Sequence, residues 1–182
     1  QPSLIRSFLA PSYASSGHEH GYALELLAEI LGGGGTSRLF RSVVVEQGLA
    51  AGAGCYYRGT GLDSATFRVY ASPRPGADMA DLEGAVGKEV AKLLADGVTE
   101  AELARTRGRL LAEAVYARDS LSGAARVFGS ALTCGEEVGD VEAWPARIAA
   151  VTAEQVHAAA RHVLRGEQSV TALLLPEDAA PC

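Results

Sequence analysis

Four consecutive glycines, Gly32–Gly35, constrain the fold of this chain more than any other feature. Each glycine forfeits roughly 1 kcal/mol of helix stability relative to alanine, so a helix cannot continue through them. An apolar pattern of helical period precedes the glycines over 21–31, and a second one follows and ends at Gly48. We therefore predict a break between two helices, where Thr36 or Ser37 accepts a hydrogen bond from the first free amides of the second helix.

The composition indicates a globular protein and argues against two classes of partner. The 182 residues, 48% of them hydrophobic, suffice for the core of one domain, which we place at 1–182. A formal net charge of −6 argues against binding nucleic acid through a basic face. No apolar run approaches the roughly 20 residues of a membrane-spanning helix. The first six residues carry no signal-peptide pattern. The chain begins with Gln1 instead of methionine, which predicts a piece excised from a longer protein.

Local patterns predict an α+β fold in which helices pack on one face of a largely antiparallel sheet. Strands are predicted over 4–9, 50–58, 65–72 and 169–175, and helices over 21–31, 79–95, 121–132 and 141–149. The second and third strands form a hairpin, in which Phe67, Val69 and Ala71 alternate with polar residues and face the core. Capping boxes predict two further helix starts, at Thr99 and Thr152.

No histidine or cysteine pattern in the chain matches a known metal site. His18 and His20 have no third ligand at helical spacing, which favours a solvated loop. His157 and His162 diverge by about 140° on a helix, too far for joint ligation. Neither H-x-x-E-H nor H-E-x-x-H occurs. The odd number of widely spaced cysteines argues against a disulfide scaffold and leaves the redox state open: Cys55, Cys134 and Cys182.

Two other chemical readings of the first helix and the glycines are disfavoured. Glu25 and Glu29 are four residues apart and in principle suit acid–base work, but they lie off the apolar face, so we predict a solvated edge. A phosphate-binding loop needs a preceding strand and a Gly-Lys-Ser/Thr ending. Here a helix precedes the glycines and no lysine follows them.

The glycines and their surroundings nevertheless resemble a known family. The chain reads LLAEILGGGGTSRLFR from Leu26 to Arg41, then EQGLA, and later YASPRPG, GVTEAEL and AVTAEQV. These stretches resemble the C-terminal half of the pitrilysin-like M16 metallopeptidases, relatives of the mitochondrial processing peptidase. The resemblance covers nearly the whole chain and implies a protein of two homologous α+β halves that face each other, in which only the N-terminal half holds zinc.

Alignment with the family's zinc helix indicates that this chain is the inactive half. The three positions of the zinc motif fall on Leu24, Leu27 and Ala28, which offer no metal ligand. The resemblance therefore implies no zinc in this chain and zinc in a partner half.

The family's substrate-holding Arg and Tyr fall on Val44 and Ala51, so neither side chain is present. In two-subunit bacterial members one subunit carries the zinc motif and the other the Arg/Tyr pair. A half without the pair would then belong to the zinc subunit.

The resemblance also implies a role for the glycines. It places Gly32, Gly33, Gly34, Gly35 and Thr36 where a peptide is bound, since bare backbone allows close approach; the alternative is a plain turn between helices. The expected partners are the zinc-bearing half of the same protein or a homologous subunit, and a peptide substrate.

Two functions remain open: the non-catalytic half of a zinc endopeptidase, or a scaffold like the core subunits of the respiratory bc1 complex. The resemblance implies that the chain begins after the first strand of such a half, which predicts an exposed sheet edge that pairs with another chain, as in a dimer. Bacterial relatives are often exported, which implies the periplasm.

Overall fold

A computed structural model describes residues 1–15, 20–117 and 119–175. The strands are β1 (Ser3–Pro11), β2 (Ala50–Arg58), β3 (Ser64–Pro73) and β4 (Ser169–Leu174). The helices are α1 (Gly21–Gly32), a π-helix (Phe40–Glu46), α2 (Met79–Asp96), α3 (Glu100–Ala117), α4 (Leu121–Thr133), α5 (Val138–Ala150), α6 (Ala153–Val163) and a short 3₁₀ turn (Gly166–Gln168).

The sheet confirms the predicted α+β class. Its strands run in the order β2-β3-β1-β4, and every neighbouring pair is antiparallel. Phe67, Val69 and Ala71 of β3 are fully buried, as their alternation predicts. Helices α1, α2 and α6 contact the strands from this buried side. The opposite side of the sheet carries no helix among the described residues.

Helix α1 is the centre of the helical layer. Ten of its twelve residues are buried, including Leu24, Leu26, Leu27 and Leu31 at zero exposure. It contacts β2 on one side and α3, α5 and α6 on the others. A helix that is buried on all sides is typical of a protein core.

The two predicted capping boxes are present. The Glu102 amide donates to Thr99 Oγ1 at 3.2 Å, and the Glu102 carboxylate accepts from the Thr99 amide at 2.8 Å. Thr152 and Gln155 form the same reciprocal pair. Helix α5 begins three residues earlier than the predicted 141 because Glu137 and Asp140 form a further capping box.

The helix after the glycines differs from the prediction. Its backbone amides donate to the carbonyl five residues earlier, as Gln47 N–H does to Ser42 O at 3.0 Å, so it is a π-helix rather than an α-helix. The predicted cap is also wrong for Ser37, whose hydroxyl donates to the Gly34 carbonyl at 2.6 Å. The Ser37 side chain therefore stabilises the turn that precedes it instead of capping the helix that follows.

Two cysteines lie in the described part of the chain, and both are free thiols. Cys55 is buried, and its Sγ donates to the Ala28 carbonyl at 2.9 Å. Burial raises the pKa of the Cys55 thiol well above its ordinary value. Cys134 is half-buried, and Cys182 lies outside the described residues. No described helix is long and apolar enough to cross a bilayer.

Candidate peptide-binding site

The three positions of α1 that align with the family's zinc motif lie in the hydrophobic core and not at a metal site. Leu24 and Leu27 have no exposed surface and Ala28 has 4%. Aliphatic side chains packed on all sides offer a metal neither a ligand atom nor room for water. Within the described ranges, no group of three or more His, Cys, Asp or Glu residues is placed to hold a metal. The residues present at this frame do not fit zinc.

The histidines contact different parts of the structure. The His20 ring lies 4.9 Å from the His162 ring, centroid to centroid. His157 Nε2 lies 2.9 Å from the Leu94 carbonyl oxygen instead. The divergence predicted for His157 and His162 is therefore confirmed, while His18 lies outside the described residues.

The glycine loop, residues 32–36, divides into a buried and an exposed part. Gly32 is buried against β2: a Cβ there would overlap the Cys55 amide nitrogen and lie 2.5 Å from the Gly54 carbonyl carbon. A Cβ on Gly54 would in turn lie 2.8 Å from the Gly32 oxygen, so the two glycines let α1 and β2 touch. Gly34, Gly35 and Thr36 are exposed, and Gly34 has a φ of +104°, which favours glycine.

The exposed part of the loop opens onto two grooves, and the larger of them is lined mainly by charged side chains. Thr36 borders a groove of about 370 Å³ between the π-helix, the end of α2 and the start of α3. It also borders a smaller one of about 150 Å³. Both grooves are lined by Thr36, Glu102 and Arg105. The loop therefore forms the rim of one charged groove and of one smaller groove of mixed polar and apolar lining.

Arg38 ties the glycine loop to the start of α3. Its Nε and one terminal nitrogen donate to the two Glu102 oxygens at 2.7 and 2.8 Å, and it also donates to the Gly97 carbonyl at 2.9 Å. The Arg38 guanidinium, with help from Thr99, holds the pKa of the Glu102 carboxyl at about 2. Because Arg38 and Glu102 are 64 residues apart, the sequence offered no signal for this pair.

Glu25 is not the solvated edge that the helical pattern predicts. Its Oε2 accepts hydrogen bonds from the Tyr13 hydroxyl at 2.6 Å and from Trp144 Nε1 at 2.9 Å. Tyr13 also stacks on Tyr22, with ring centroids 4.9 Å apart. Burial raises the pKa of Glu25, the two hydrogen bonds lower it, and the charge of Glu29 adds to the rise. The prediction is wrong because Trp144, from α5, covers this side of α1.

Glu29, the second member of that pair, is also not free in solvent. It forms an ion pair with Arg109 of α3, and its side chain is 28% exposed. The two carboxylates therefore serve two different contacts, one to α5 and one to α3, and do not form an acid–base pair.

We expect Glu25→Gln to stabilise the protein at pH 7 relative to wild type. With a raised folded-state pKa, the native state holds the proton more tightly, so this carboxyl contributes most stability below about pH 4.5 and loses it as the pH rises. The advantage of the variant should therefore shrink on acidification, as thermal melts between pH 4 and 8 would show. Glu167→Gln, at an exposed carboxylate, is the control, and an equal pH effect there would contradict the assignment.

The positions aligned with the family's Arg and Tyr face different environments. Val44 is buried in the π-helix, whereas Ala51 is exposed beside a bulge between Ala50 and Gly52. Arg74 donates to the carbonyls of Val44 and Ala50, both at 3.1 Å. Val44 therefore contributes a backbone contact to the fold, and neither Val44 nor Ala51 supplies a substrate-holding side chain.

The side of the sheet away from the helices, which we call the open face, is apolar and cationic. The register of the four strands places six large exposed apolar or aromatic residues on it, with Val170 at 72% and Leu9 at 69% exposure. Two arginines share the face, and none of the described residues on it is acidic. These eight residues are Ile5, Leu9, Tyr56, Arg58, Arg68, Tyr70, Val170 and Leu174.

Arg68 lies at the centre of the open face. Its Nη1 donates to the Tyr56 hydroxyl at 2.9 Å, and its guanidinium carbon lies 5.8 Å from the centre of the Tyr56 ring. Tyr70 is the next ring along, 6.5 Å from Tyr56. The Arg68 Nε is shielded from solvent and has no hydrogen-bond partner among the described residues. The alternation of Arg68 and Tyr70 with buried residues was visible in the sequence, but their role was not inferred from it.

Comparisons with known proteins agree on one family. The model of the peptidase M16 inactive domain matches residues 1–110. An uncharacterized zinc protease from Mycobacterium tuberculosis is 38% identical over 153 residues, which cover 81% of this chain and 33% of the relative. The chain thus spans about a third of the length of the curated relatives it matches.

Solved structures share the fold at low sequence identity. A protease from Helicobacter pylori has a TM-score of 0.87 at 20% identity, over 96% of this chain and 41% of that one. The inactive peptidase domain of a zinc protease from Bordetella parapertussis has a TM-score of 0.85 at 18% identity, over 97% and 91%. The periplasmic protease PqqL from Escherichia coli has a TM-score of 0.72 at 17% identity, over 97% and 19%.

Proposed function

The chain belongs to the peptidase M16 inactive-domain family, and from this premise we propose that it is the non-catalytic half of a zinc metalloendopeptidase. In this proposal it forms one wall of a peptide-binding chamber opposite a zinc-bearing half. The relatives that carry a function in their names are called zinc proteases, and this chain covers about a third of their length. The zinc would be held by the partner half, since Leu24, Leu27 and Ala28 supply no ligand here.

The open face is the observation that carries the proposal. Soluble monomers rarely expose a contiguous apolar surface of this kind, and such surfaces mark contacts with other chains or ligands. Val170, Leu9 and Leu174 each leave more than half of their surface in water in this structure. A chamber wall that faces a peptide and a partner half would cover them.

The glycine loop contributes at the rim of the same proposal. We assign peptide contact to its exposed backbone at Gly34, Gly35 and Thr36. Gly32 and Gly33 would act through shape, because Gly32 packs on β2 and a Cβ on Gly33 would overlap the Glu29 carboxylate.

Reconstitution with a zinc-bearing partner tests the proposal. We expect the chain, mixed with the zinc-bearing half of its parent protein or a homologous subunit, to support cleavage of a quenched fluorescent peptide. Neither component alone should cleave, and a chelator should abolish the joint activity, because the metal lies in the partner. Metal analysis should find zinc in the complex and none on this chain.

Three results of that experiment would contradict the proposal. A stable complex without cleavage would favour the scaffold function instead. Cleavage by the partner alone, at the rate of the mixture, would remove any role for this half. One zinc tightly bound to this chain by itself would overturn the assignment of metal to the partner.

We further place the parent protein in the periplasm. The support is the exported character expected from the resemblance, together with a protease described as periplasmic among the proteins that share the fold. Cell fractionation of the tagged parent protein would contradict this placement if the protein remained with the cytoplasmic fraction.

A further inference from the structure

We infer that Arg68, framed by Tyr56 and Tyr70, is a subsite on the open face that selects peptides carrying an acidic side chain. The inference rests on the proposed function and adds to it the chemistry of the peptide. No described residue of the site identified from the sequence, the glycine loop, takes part in it.

The bonding of Arg68 is incomplete. One terminal nitrogen is used by the Tyr56 hydroxyl, and the guanidinium lies over the Tyr56 ring, which holds the side chain flat on the sheet. The Nε of the same group has no acceptor among the described residues. A donor left without an acceptor away from water is costly. A ligand that brings an acceptor to this edge of the guanidinium therefore gains more than it would at a fully satisfied arginine.

A carboxylate is the acceptor that fits the guanidinium best. Arginine presents parallel N–H groups that match the two oxygens of a carboxylate, and such paired bonds are about twice as strong as neutral ones. A carboxylate reaches the shielded Nε only if the Arg68 side chain moves away from the sheet, and this movement is part of the inference. The Tyr56 and Tyr70 rings, 6.5 Å apart, offer hydroxyls and ring surface beside this subsite.

The charge distribution of the chain supports an anionic ligand at this face. The protein carries 22 acidic residues and a formal net charge of −6, yet the described residues of the open face include none of the acids. Arg58 lies on the same face, opposite Thr66 and next to the Arg68–Tyr56 pair along β2. An acidic peptide is therefore attracted to this side of the sheet and repelled by much of the remaining surface.

The neighbours of Arg68 define the rest of the peptide. Ser7 pairs with Arg68 on one side and with Val170 on the other, and Ile5 lies opposite Tyr70. Of the apolar side chains, Ile5 lies one strand away and Val170 two strands away, about 5–10 Å from Arg68. The expected ligand is an extended peptide in which apolar residues flank a glutamate or aspartate.

Direct binding to two matched peptides tests the inference. The probes are fluorescein-labelled Leu-Ala-Glu-Ala-Leu and its Gln analogue, with capped ends, titrated with the chain and followed by anisotropy. We expect the Glu peptide to bind about tenfold more tightly at 50 mM salt, and the difference to shrink at 500 mM salt as the charges are screened.

Variants of Arg68 separate this subsite from general charge. Arg68→Gln should remove the preference, so that both peptides bind like the Gln peptide. Arg68→Lys, which keeps the charge without the fork, should retain only part of the preference. Arg126→Gln on the exposed side of α4 makes the same change in net charge and should leave the preference intact. Thermal melts of each variant report whether it folds.

Three outcomes would overturn the inference. Equal affinity of wild type for the two peptides is the first, and a preference that survives Arg68→Gln is the second. The third is self-association in analytical ultracentrifugation that blocks peptide binding and is lost in Arg68→Gln, which would assign the face to a second copy. Reconstituted cleavage with no Glu preference leaves the proposed function intact and rejects only the subsite. Selective binding without reconstituted cleavage supports the subsite and rejects only the proposed function.

Discussion

Replacing Gly32 by alanine is expected to destabilise the protein by at least about 3 kcal/mol, enough to lower Tm by roughly 6–12 °C in a chain of this size. The new Cβ would overlap the Cys55 amide nitrogen and lie 2.5 Å from the Gly54 carbonyl carbon, so α1 and β2 would have to separate. The gain in helix propensity from Gly to Ala is only about 1 kcal/mol and does not offset this cost.

The control for this prediction lies three residues along the same loop. At Gly35 a Cβ would meet only Phe40 Cε1, at 4.0 Å. Gly35→Ala should therefore change stability by less than about 0.5 kcal/mol, with a small gain from a stiffer unfolded chain. Chemical denaturation of both variants checks the pair. Similar losses at both positions would show that the loop as a whole, and not the α1–β2 contact, requires glycine.

Removing the Arg38 side chain has the second largest expected effect. Arg38→Ala should cost about 2 kcal/mol, between the values for exposed and for fully buried ion pairs. It would leave the Glu102 carboxylate and the Gly97 carbonyl without their donor at the start of α3. The side chains of Arg38 and Glu102 are 16% and 21% exposed, so water only partly replaces the lost bonds.

The pH dependence of this effect is opposite in sign to that of Glu25. The pKa of Glu102 is lowered to about 2, so its ion pair contributes stability above the ordinary carboxyl pKa and loses it as the pH falls toward 2. The difference in the free energy of unfolding between wild type and Arg38→Ala should therefore be largest near neutral pH and smaller in acid. Denaturant titrations at several pH values measure it. A gap that is constant down to pH 2 would contradict the role of the Glu102 charge.

Arg41→Ala is the matched control for Arg38→Ala. Arg41 lies three residues away and pairs with Glu46 at 3.8 Å, but both side chains are more than 60% exposed. Such pairs contribute about 0–1 kcal/mol, so this variant should be nearly neutral. A loss as large as that of Arg38→Ala would mean that charge near the groove, rather than the bond to Glu102, supports the fold.

The elements that could be predicted are those whose signals lie within a few residues. The boxes at Thr99 and Thr152 are complete within four positions, and the structure starts helices directly after both. The alternation around Phe67 and Val69 needs only the two-residue period of a strand. The absence of metal ligands at the motif positions of α1 likewise follows from three residues at known spacing: Leu24, Leu27 and Ala28.

The features that could not be predicted depend on residues distant in the chain. Glu25 reads as a solvated edge on a helical wheel, which shows where a side chain points but not that Trp144, 119 residues later, covers it. Arg38 meets Glu102 across 64 residues. Ser37 donates to Gly34 instead of capping, because the chain continues as a π-helix.

The sequence by itself determined where α1 ends, which strand face is buried and that the zinc frame is empty of ligands, because short-range periodicity and residue chemistry decide these. The tertiary structure decided which glycine is structural, which carboxylate is buried and which sheet face is left uncovered. Gly32 shows the physical reason: its importance comes from the backbone of β2 against it, and only packing brings Gly54 and Cys55 to that point.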